Sequence, residues 1–240
     1  MISSVQNEKI KNYAKLNEKK YRDEEKKYIV EGEHLVLEAY KSGNLDEVIL
    51  CERDIDLGVP KTYVTEAVMK TISMLPSTSN IIGICSMKDN EIDLNENILI
   101  LDGVQDPGNL GTILRSAVAF NLKNIILSDD SVDMYNTKSL RSAQGMNFYL
   151  NIKRINLVEY IKFLKENGYK ILGTDVTNGI DVKSVSKNEK YAIIMGNEGN
   201  GMSDKVRELC DKNIYIDMNK NCESLNVGVS ASIIMYELNK

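Results

Sequence analysis

Histidine is scarce in this sequence, and its cysteines are not clustered, which narrows the chemistry open to the protein. The chain of 240 residues contains one histidine, His34, and four cysteines. None of the cysteines form a C-x-x-C pair, and no histidine lies near them. A zinc centre or a disulfide framework is therefore not expected. We predict that the protein binds no metal and that His34 begins a helix.

Long apolar runs and net positive charge are also missing. No segment approaches the ~18 consecutive apolar residues of a membrane-spanning helix, and the N-terminus lacks the apolar region of a secretory signal. These absences predict a cytoplasmic protein with no membrane partner. The net charge of -5 gives no overall sign of nucleic-acid binding. The first thirty residues do carry eight Lys or Arg against five Asp or Glu, which fits either a solvated helix or a surface that contacts phosphate.

Strand-like and helix-like segments alternate along the whole chain. Residues 1–92 read as a small α/β domain, and the polar stretch "KDNEIDLNEN", residues 88–97, reads as a linker or boundary at its end. The pattern begins again in a second domain, residues 96–240, with apolar runs such as "ILILDG" and "YAIIMG". Such runs are typical of buried parallel strands, so we predict a mostly parallel sheet that is covered by helices on both faces.

Three strand ends of the second domain carry polar and glycine residues, in "LDGVQDPGNLGTILRSA", "IIMGNEGNGMS" and "IYIDMNKNCESLNV". The first predicts a helix that begins at Asn109 as its N-cap, and the third a helix capped by Ser224 or Asn226. Ligands of open α/β sheets bind outside the carboxyl ends of the strands. The three loops together therefore predict a pocket, although each alone also fits an ordinary connection.

A dinucleotide is one candidate ligand. Asp129 and Asp130 follow Gly108 by about twenty residues, which is where an NAD-binding acid lies. However, "GNEGNG" has its glycines in the wrong order for G-x-G-x-x-G, and "GNEGNGMS" has methionine where a phosphate-binding loop requires lysine. From these residues alone the protein is an α/β enzyme with a nucleotide-like ligand, and a dehydrogenase remains an alternative.

The three loops, in this order and spacing, resemble the three motifs of the SpoU family of RNA ribose 2'-O-methyltransferases, within the SPOUT superfamily. The segment "KSLRSAQGM" is similar to the basic segment between the first two motifs, and "YIVEGEHLVLEAYKSG" resembles a substrate-binding domain similar to ribosomal protein L30e. The resemblance implies an L30e-like N-terminal RNA-binding domain, a SPOUT α/β-knot domain with a deep C-terminal trefoil knot, and a homodimer whose active sites draw on both subunits.

The cofactor that the resemblance implies is S-adenosylmethionine. Backbone around Gly196, Ile216 and Leu225 is expected to hold its adenine and ribose. The full set of expected cofactor-binding residues is Thr174, Met195, Gly196, Asn197, Gly201, Ile216, Met218, Ser224 and Leu225.

The reaction that the resemblance implies is methyl transfer to a ribose 2'-hydroxyl. The expected catalytic residues are Asn109, Arg115, Glu198, Ser224 and Asn226, and the expected RNA contacts are Arg115 and Arg141. The family's arginine at the position of Arg115 is proposed as the base, yet arginine is effectively always protonated. Arg115 as a positioner of phosphate and hydroxyl, or assistance from Glu198, therefore stay open.

The N-terminal domain favours 23S ribosomal RNA as the substrate. Transfer RNA is the alternative, as is a non-catalytic RNA-binding protein on the same fold. Methylation as housekeeping or as resistance to a ribosome-targeting drug is equally open.

Overall fold

The computed structural model describes residues 1–176 and 178–239, which form two compact units. The first unit comprises Met1–Lys88 and Asp133–Phe148, and the second comprises Asp89–Val132 and the chain from Tyr149 onward. The helices are α1 (Glu8–Lys15), α2 (Lys19–Glu25), α3 (Glu33–Lys41), α4 (Glu66–Ile72), α5 (Pro107–Ala119), α6 (Thr137–Ala143), α7 (Leu157–Glu166), α8 (Asp204–Arg207) and α9 (Val227–Leu238). The strands are β1 (Lys27–Glu31), β2 (Leu45–Leu50), β3 (Lys61–Tyr63), β4 (Ile81–Ser86), β5 (Ile98–Leu101), β6 (Asn124–Leu127), β7 (Asn151–Arg154), β8 (Lys170–Thr174), β9 (Ile180–Asp181), β10 (Tyr191–Met195) and β11 (Lys212–Tyr215). Short 3-10 helices occupy Met146–Tyr149 and Val182–Ser184.

The first unit is built on a mixed sheet with strand order β1-β4-β2-β3. Strand β4 is antiparallel to both neighbours, and β2 and β3 are parallel. Side chains alternate across the sheet, as the period of a strand requires. Tyr28 and Val30 enter a core with α3, whereas Ile29 enters a separate core with α1 and α4. The predicted helix start at His34 is confirmed, since His34 is the second residue of α3.

Residues 133–148 pack with the first unit although they follow strand β6 of the second. Leu140 of α6 is 1% exposed in the core that contains Tyr28 and Val36. Buried Arg22 forms an ion pair with Asp133 at 2.5 Å and donates to the carbonyl oxygen of Leu16. The division read from the sequence, residues 1–92 and 96–240, assigned this segment to the second domain.

Replacing Leu140 by alanine should destabilise the first unit. Removing a buried leucine side chain from a packed core costs about 2–5 kcal/mol. We expect faster amide hydrogen exchange in peptides from β1 and β4, measured by mass spectrometry, with β10 as the internal reference. Arg141→Ala is the matched control, because Arg141 lies on the same helix and is exposed. Unchanged exchange in β4 would contradict the packing of α6 in this core.

The second unit is a seven-stranded sheet in which every pair of neighbours is parallel, with strand order β7-β6-β5-β10-β8-β11-β9. This confirms the predicted parallel sheet. The central strands β5 and β10 are entirely buried, which explains their unbroken apolar sequences. Strand β7 begins only at Asn151, because Phe148 packs in the core of the first unit and Tyr149 ends a 3-10 helix.

Helix α9 packs along α5. The hydroxyl oxygens of Ser116 and Ser232 lie 2.6 Å apart, and a Cβ at Gly228 would lie 3.2 Å from the side chain of Thr112. Small residues therefore bring the two helix axes close together. Two apolar side chains of α9 are exposed, Val229 (45%) and Tyr236 (44%), and the ring of Tyr236 also meets that of Phe120 edge-on at the end of α5.

None of the helices in the described part of the chain is both long and apolar enough to cross a membrane.

A candidate active site at the carboxyl ends of the strands

The loop that follows β5 begins the site. Asp106 is the N-cap of α5, since its Oδ1 accepts the backbone N–H of Asn109 at 2.9 Å, and Pro107 occupies the first helical turn. The prediction that Asn109 caps this helix is therefore wrong. A carboxylate caps as well as an amide does, and proline fits the first helical position. The side chain of Asn109 is consequently available for contacts outside its own helix.

Asn197 fastens the second loop, residues 196–203, to the first. Its side-chain oxygen accepts the N–H groups of Gly199 and Asn200 at 2.9 and 3.1 Å, and its side-chain nitrogen donates to the carbonyl oxygen of Gly103 at 2.7 Å. The backbones of Asn197 and Gly201 also exchange two hydrogen bonds, at 2.9 and 3.0 Å. The second loop is thus a closed turn held against the end of β5.

Position 196 has room only for glycine, because the backbone of the second loop passes close to it. A Cβ there would lie 2.2 Å from the carbonyl carbon of Gly201 and 2.3 Å from the backbone nitrogen of Met202. These are backbone atoms that cannot rotate away.

We therefore expect Gly196→Ala to push the second loop outward and to weaken cofactor binding about tenfold, because overpacking typically costs about 1–3 kcal/mol. Isothermal titration calorimetry with S-adenosylhomocysteine measures this. Gly199→Ala is the matched control, since its Cβ would meet nothing closer than Asn197 at 3.6 Å. Equal affinities of the two variants would contradict the steric argument.

Glu198 joins the first and second loops. Its Oε1 accepts the backbone N–H of Asp106 at 3.1 Å and the side-chain amide of Asn109 at 2.9 Å, while its Oε2 accepts the N–H of Gln105 at 3.2 Å. Partial burial alone would raise the pKa of this carboxyl, but these donated hydrogen bonds outweigh burial and lower the pKa below its ordinary value. Glu198 is consequently a carboxylate at neutral pH, and both of its oxygens are engaged.

Asn226 connects the third loop, which runs from β11 to α9, to the other two loops. It is the N-cap of α9, with its Oδ1 accepting the N–H groups of Gly228 and Val229 at 2.9 and 3.3 Å. Its Nδ2 donates to the Oδ1 of Asn109 at 2.9 Å. A continuous chain of side-chain hydrogen bonds, Glu198–Asn109–Asn226, therefore links all three loops. The predicted cap and the predicted site residue are the same side chain.

A cavity of roughly 710 Å3 opens between the second loop, the third loop and the end of β8. All nine expected cofactor-binding residues line it, as do Glu198 and Asn226. Lining residues that the sequence analysis missed include Asp175, Asn178, Arg207, Val227 and Ser230. Asp175 directly follows Thr174 at the end of a predicted strand, which is a position that could have signalled it.

Three predicted residues lie apart from this hydrogen-bonded chain. Ser224 lines the cavity, and its carbonyl oxygen lies 3.3 Å from the sulfur of Cys222. Arg115 is exposed on α5 and is not among the residues that line the cavity. Arg141 is exposed on α6, which belongs to the first unit. Among the described residues, no cluster of three or more His, Cys, Asp or Glu side chains could hold a metal ion.

Comparison with known families matches both parts of the chain. The model of the SpoU rRNA Methylase family matches residues 96–236, and that of the MRM3-like substrate binding domain matches residues 7–83.

Individual proteins are similar over the same regions. The chain is 37% identical to the 23S rRNA (guanosine(2553)-2'-O)-methyltransferase of Bacillus subtilis, over 99% of this chain and 98% of the relative. It is 39% identical to a putative TrmH family tRNA/rRNA methyltransferase of Staphylococcus aureus, over 59% of this chain and 57% of the relative. The crystal structure of an AdoMet-bound rRNA methyltransferase from Sinorhizobium meliloti matches with a TM-score of 0.88 at 25% identity, over 99% of this chain and 96% of that chain.

Proposed function

The chain belongs to the SpoU rRNA methylase family, and from this premise we propose that it methylates the ribose 2'-hydroxyl of a guanosine in 23S ribosomal RNA. S-adenosylmethionine is the methyl donor. The observation that carries this proposal is the Glu198–Asn109–Asn226 chain, which ties the three loops together beside one cavity. The guanosine is the one that corresponds to position 2553 in the name of the Bacillus subtilis relative.

Ribosomal RNA is favoured over transfer RNA because the similarity to the Bacillus subtilis enzyme extends over both units of the chain. The first unit contains the residues that match a substrate-binding domain, and it carries Arg141 on an exposed helix. Arginine is suited to phosphate contacts, because its guanidinium donates paired, charge-assisted hydrogen bonds. We therefore assign RNA binding to the first unit, with Arg141 among its contacts.

The cavity fits S-adenosylmethionine in size and lining. Small-molecule sites commonly have volumes of about 300–1,000 Å3, and the lining of this cavity combines apolar side chains with many polar groups, as a ligand with an apolar and a charged end requires. Ile216, Leu225 and Ile234 offer apolar walls for adenosine, beside the exposed backbone of the second and third loops. The cofactor supplies a methyl group on a sulfonium sulfur, which a ribose 2'-oxygen can attack without metal assistance. An NAD-dependent dehydrogenase is disfavoured, since the sequence contains no G-x-G-x-x-G motif.

The protein's own contribution is orientation. Asn109 is held from both sides, by Glu198 and by Asn226, so its position at the start of α5 is fixed before RNA arrives. Preorganised positioning of this kind supplies much of the rate in group-transfer reactions. Glu198 orients Asn109 rather than serving as a base, because both of its oxygens already accept hydrogen bonds.

Arg115 is proposed to hold the RNA and polarise the 2'-hydroxyl. A guanidinium stays protonated near neutral pH, so it donates hydrogen bonds and leaves the proton to solvent or phosphate. Its absence from the lining of the chain's own cavity supports a site shared between two subunits.

A homodimer is proposed because Arg115 does not line the cavity of its own chain and could reach that of a second copy. The exposed apolar side chains of Val229 and Tyr236 on α9 offer a surface for a second copy. The trefoil knot and a cytoplasmic location are also proposed. Both rest on family membership.

The test is methyl transfer from labelled S-adenosylmethionine to a 23S rRNA fragment, with the product nucleoside identified by mass spectrometry. We expect 2'-O-methylguanosine. The matched control substrate carries a 2'-deoxyguanosine at the target position and should accept no methyl group. Transfer to transfer RNA alone, or methylation of a base, would contradict the proposal. Binding of S-adenosylmethionine without transfer to any RNA would favour the non-catalytic alternative.

A further inference from the structure

Few charged residues line the cavity, and one of them already accepts hydrogen bonds from the protein itself. Asp175, Glu198 and Arg207 are the ionisable side chains among the described residues that line it. Glu198 is engaged by the first loop. The hydrogen-bonded chain that links the three loops does not explain why Asp175 and Arg207 lie at the cavity, because neither side chain contributes to it.

Arg207 lies at the cavity, and its guanidinium makes only long contacts with the described residues of the protein. Its side chain is 46% exposed, and its Nη1 lies 4.0 Å from the Oδ2 of Asp175, at the outer limit for an ion pair. Its Nη2 makes one long hydrogen bond, 3.4 Å, to the carbonyl oxygen of Met202. A guanidinium has five N–H donors. Within the described residues, the contacts of Arg207 are thus too loose to account for its position by stability alone.

Asp175 is held more firmly. Its side chain is 13% exposed, and its Oδ1 accepts the backbone N–H of Asn178 at 3.2 Å. Its own backbone N–H donates to the carbonyl oxygen of Ile214 at the end of β11. Its Oδ2 is the oxygen that faces Arg207. A largely buried anion and a more exposed cation consequently lie side by side at the cavity.

We propose that Arg207 and Asp175 bind the amino-acid end of S-adenosylmethionine, with the guanidinium on the carboxylate and the Asp175 carboxylate on the ammonium. The proposal rests on the proposed function, since it assumes that this cavity holds the cofactor. An α-amino acid carries both charges on substituents of one carbon, so it needs a cation and an anion close together. Arginine pairs with carboxylates through two parallel hydrogen bonds. The apolar walls of the cavity suit the adenosine end and offer nothing to a zwitterion.

Two ligands separate this proposal from a general role in the pocket. S-adenosylhomocysteine contains the amino-acid end, and 5'-methylthioadenosine lacks it while keeping adenosine and sulfur. Both are titrated calorimetrically into the full-length protein and its variants. We expect Arg207→Gln to weaken S-adenosylhomocysteine at least tenfold, or about 1.4 kcal/mol, and to change the affinity for 5'-methylthioadenosine less than twofold. Asp175→Asn should shift the two ligands in the same pattern.

Lys205→Gln is the matched control, because it removes one exposed positive charge from the same short helix and should alter neither affinity. Unchanged binding of S-adenosylhomocysteine by Arg207→Gln would overturn the proposal, even where RNA binding is weakened. Equal weakening of both ligands would also overturn it, since it would mean a general effect on the pocket. Wild-type protein that binds neither ligand would instead contradict the proposed function itself.

Discussion

Replacing Arg115 by alanine is expected to lower methyl transfer to 23S rRNA by about 100- to 1,000-fold, the loss typical of removing one preorganised donor from an active site. Affinity for S-adenosylhomocysteine should stay at the wild-type value, because Arg115 does not line the cavity. The two measurements are single-turnover methyl transfer and calorimetric titration. Arg115→Lys keeps the charge but loses the planar, two-pronged donor, so we expect only a minor recovery of the rate.

Near-normal transfer by Arg115→Ala would refute the assignment, and a parallel loss of cofactor affinity would point to a folding defect instead. Mixed dimers then test whether the arginine acts across the interface. Arg115→Ala is co-purified with Leu225→Glu, which places a charge in the wall of the cavity. If each arginine serves its partner's cavity, the mixed dimer has one complete site and recovers activity. If it serves its own cavity, no site is complete and the mixture stays inactive.

Glu198→Gln is expected to lower transfer by about a hundredfold, the cost of misplacing a reacting group by about 1 Å. The carboxylate accepts N–H groups on both oxygens, whereas glutamine offers one oxygen and one amide nitrogen. At least one N–H donor then faces the N–H donors of the glutamine amide, so at least one of these hydrogen bonds is lost. Asn109 loses its fixed orientation as a result. Glu208→Gln, an exposed change in the neighbouring segment, is the control for lost charge.

Coupling between substitutions checks that the effect passes through Asn109. Glu198 and Asn226 share Asn109 as a hydrogen-bond partner, so Glu198→Gln and Asn226→Ala should be non-additive in the free energy of activation. A double variant whose loss equals the sum of the two single losses would show that the residues act independently. Such an additive result would contradict the role of the Glu198–Asn109–Asn226 hydrogen bonds in positioning the site.

Local patterns of the sequence predicted the sheet and the three loops well. Apolar strands that end in glycine and polar residues identify the carboxyl edge of a parallel sheet. The nine cofactor-binding residues were implied by the resemblance to the SpoU family, and although all nine line one cavity, their contact with the cofactor stays a prediction. Capping was harder, because Asp106 and Asn109 are both good caps and the choice between them depends on Pro107 at the first helical position. Asn226 is both a helix cap and part of the candidate site, since its side-chain oxygen caps α9 while its side-chain nitrogen donates to Asn109.

Contacts between residues distant in sequence could not be read in this way. Gly196 was expected to hold the cofactor through its backbone, but the sequence could not show that a side chain there would meet the backbone at Gly201. Arg207 and Asp175 are 32 positions apart in the sequence, and no local pattern connects them. Likewise, the sequence of α6 does not show that Leu140 enters the core of the first unit. These facts depend on the order of strands, which periodicity does not encode.

The discontinuity of the first unit has a consequence for synthesis on the ribosome. Its core requires Leu140 and Phe148, which are translated only after β5, α5 and β6 of the second unit. A nascent chain that has emerged as far as residue 92 therefore carries the four-stranded sheet without the helix that completes it. Domains usually mature in the order in which they are made, but here the first cannot finish before the second has begun. A gene fragment that ends at the linker should accordingly yield a protein prone to aggregation.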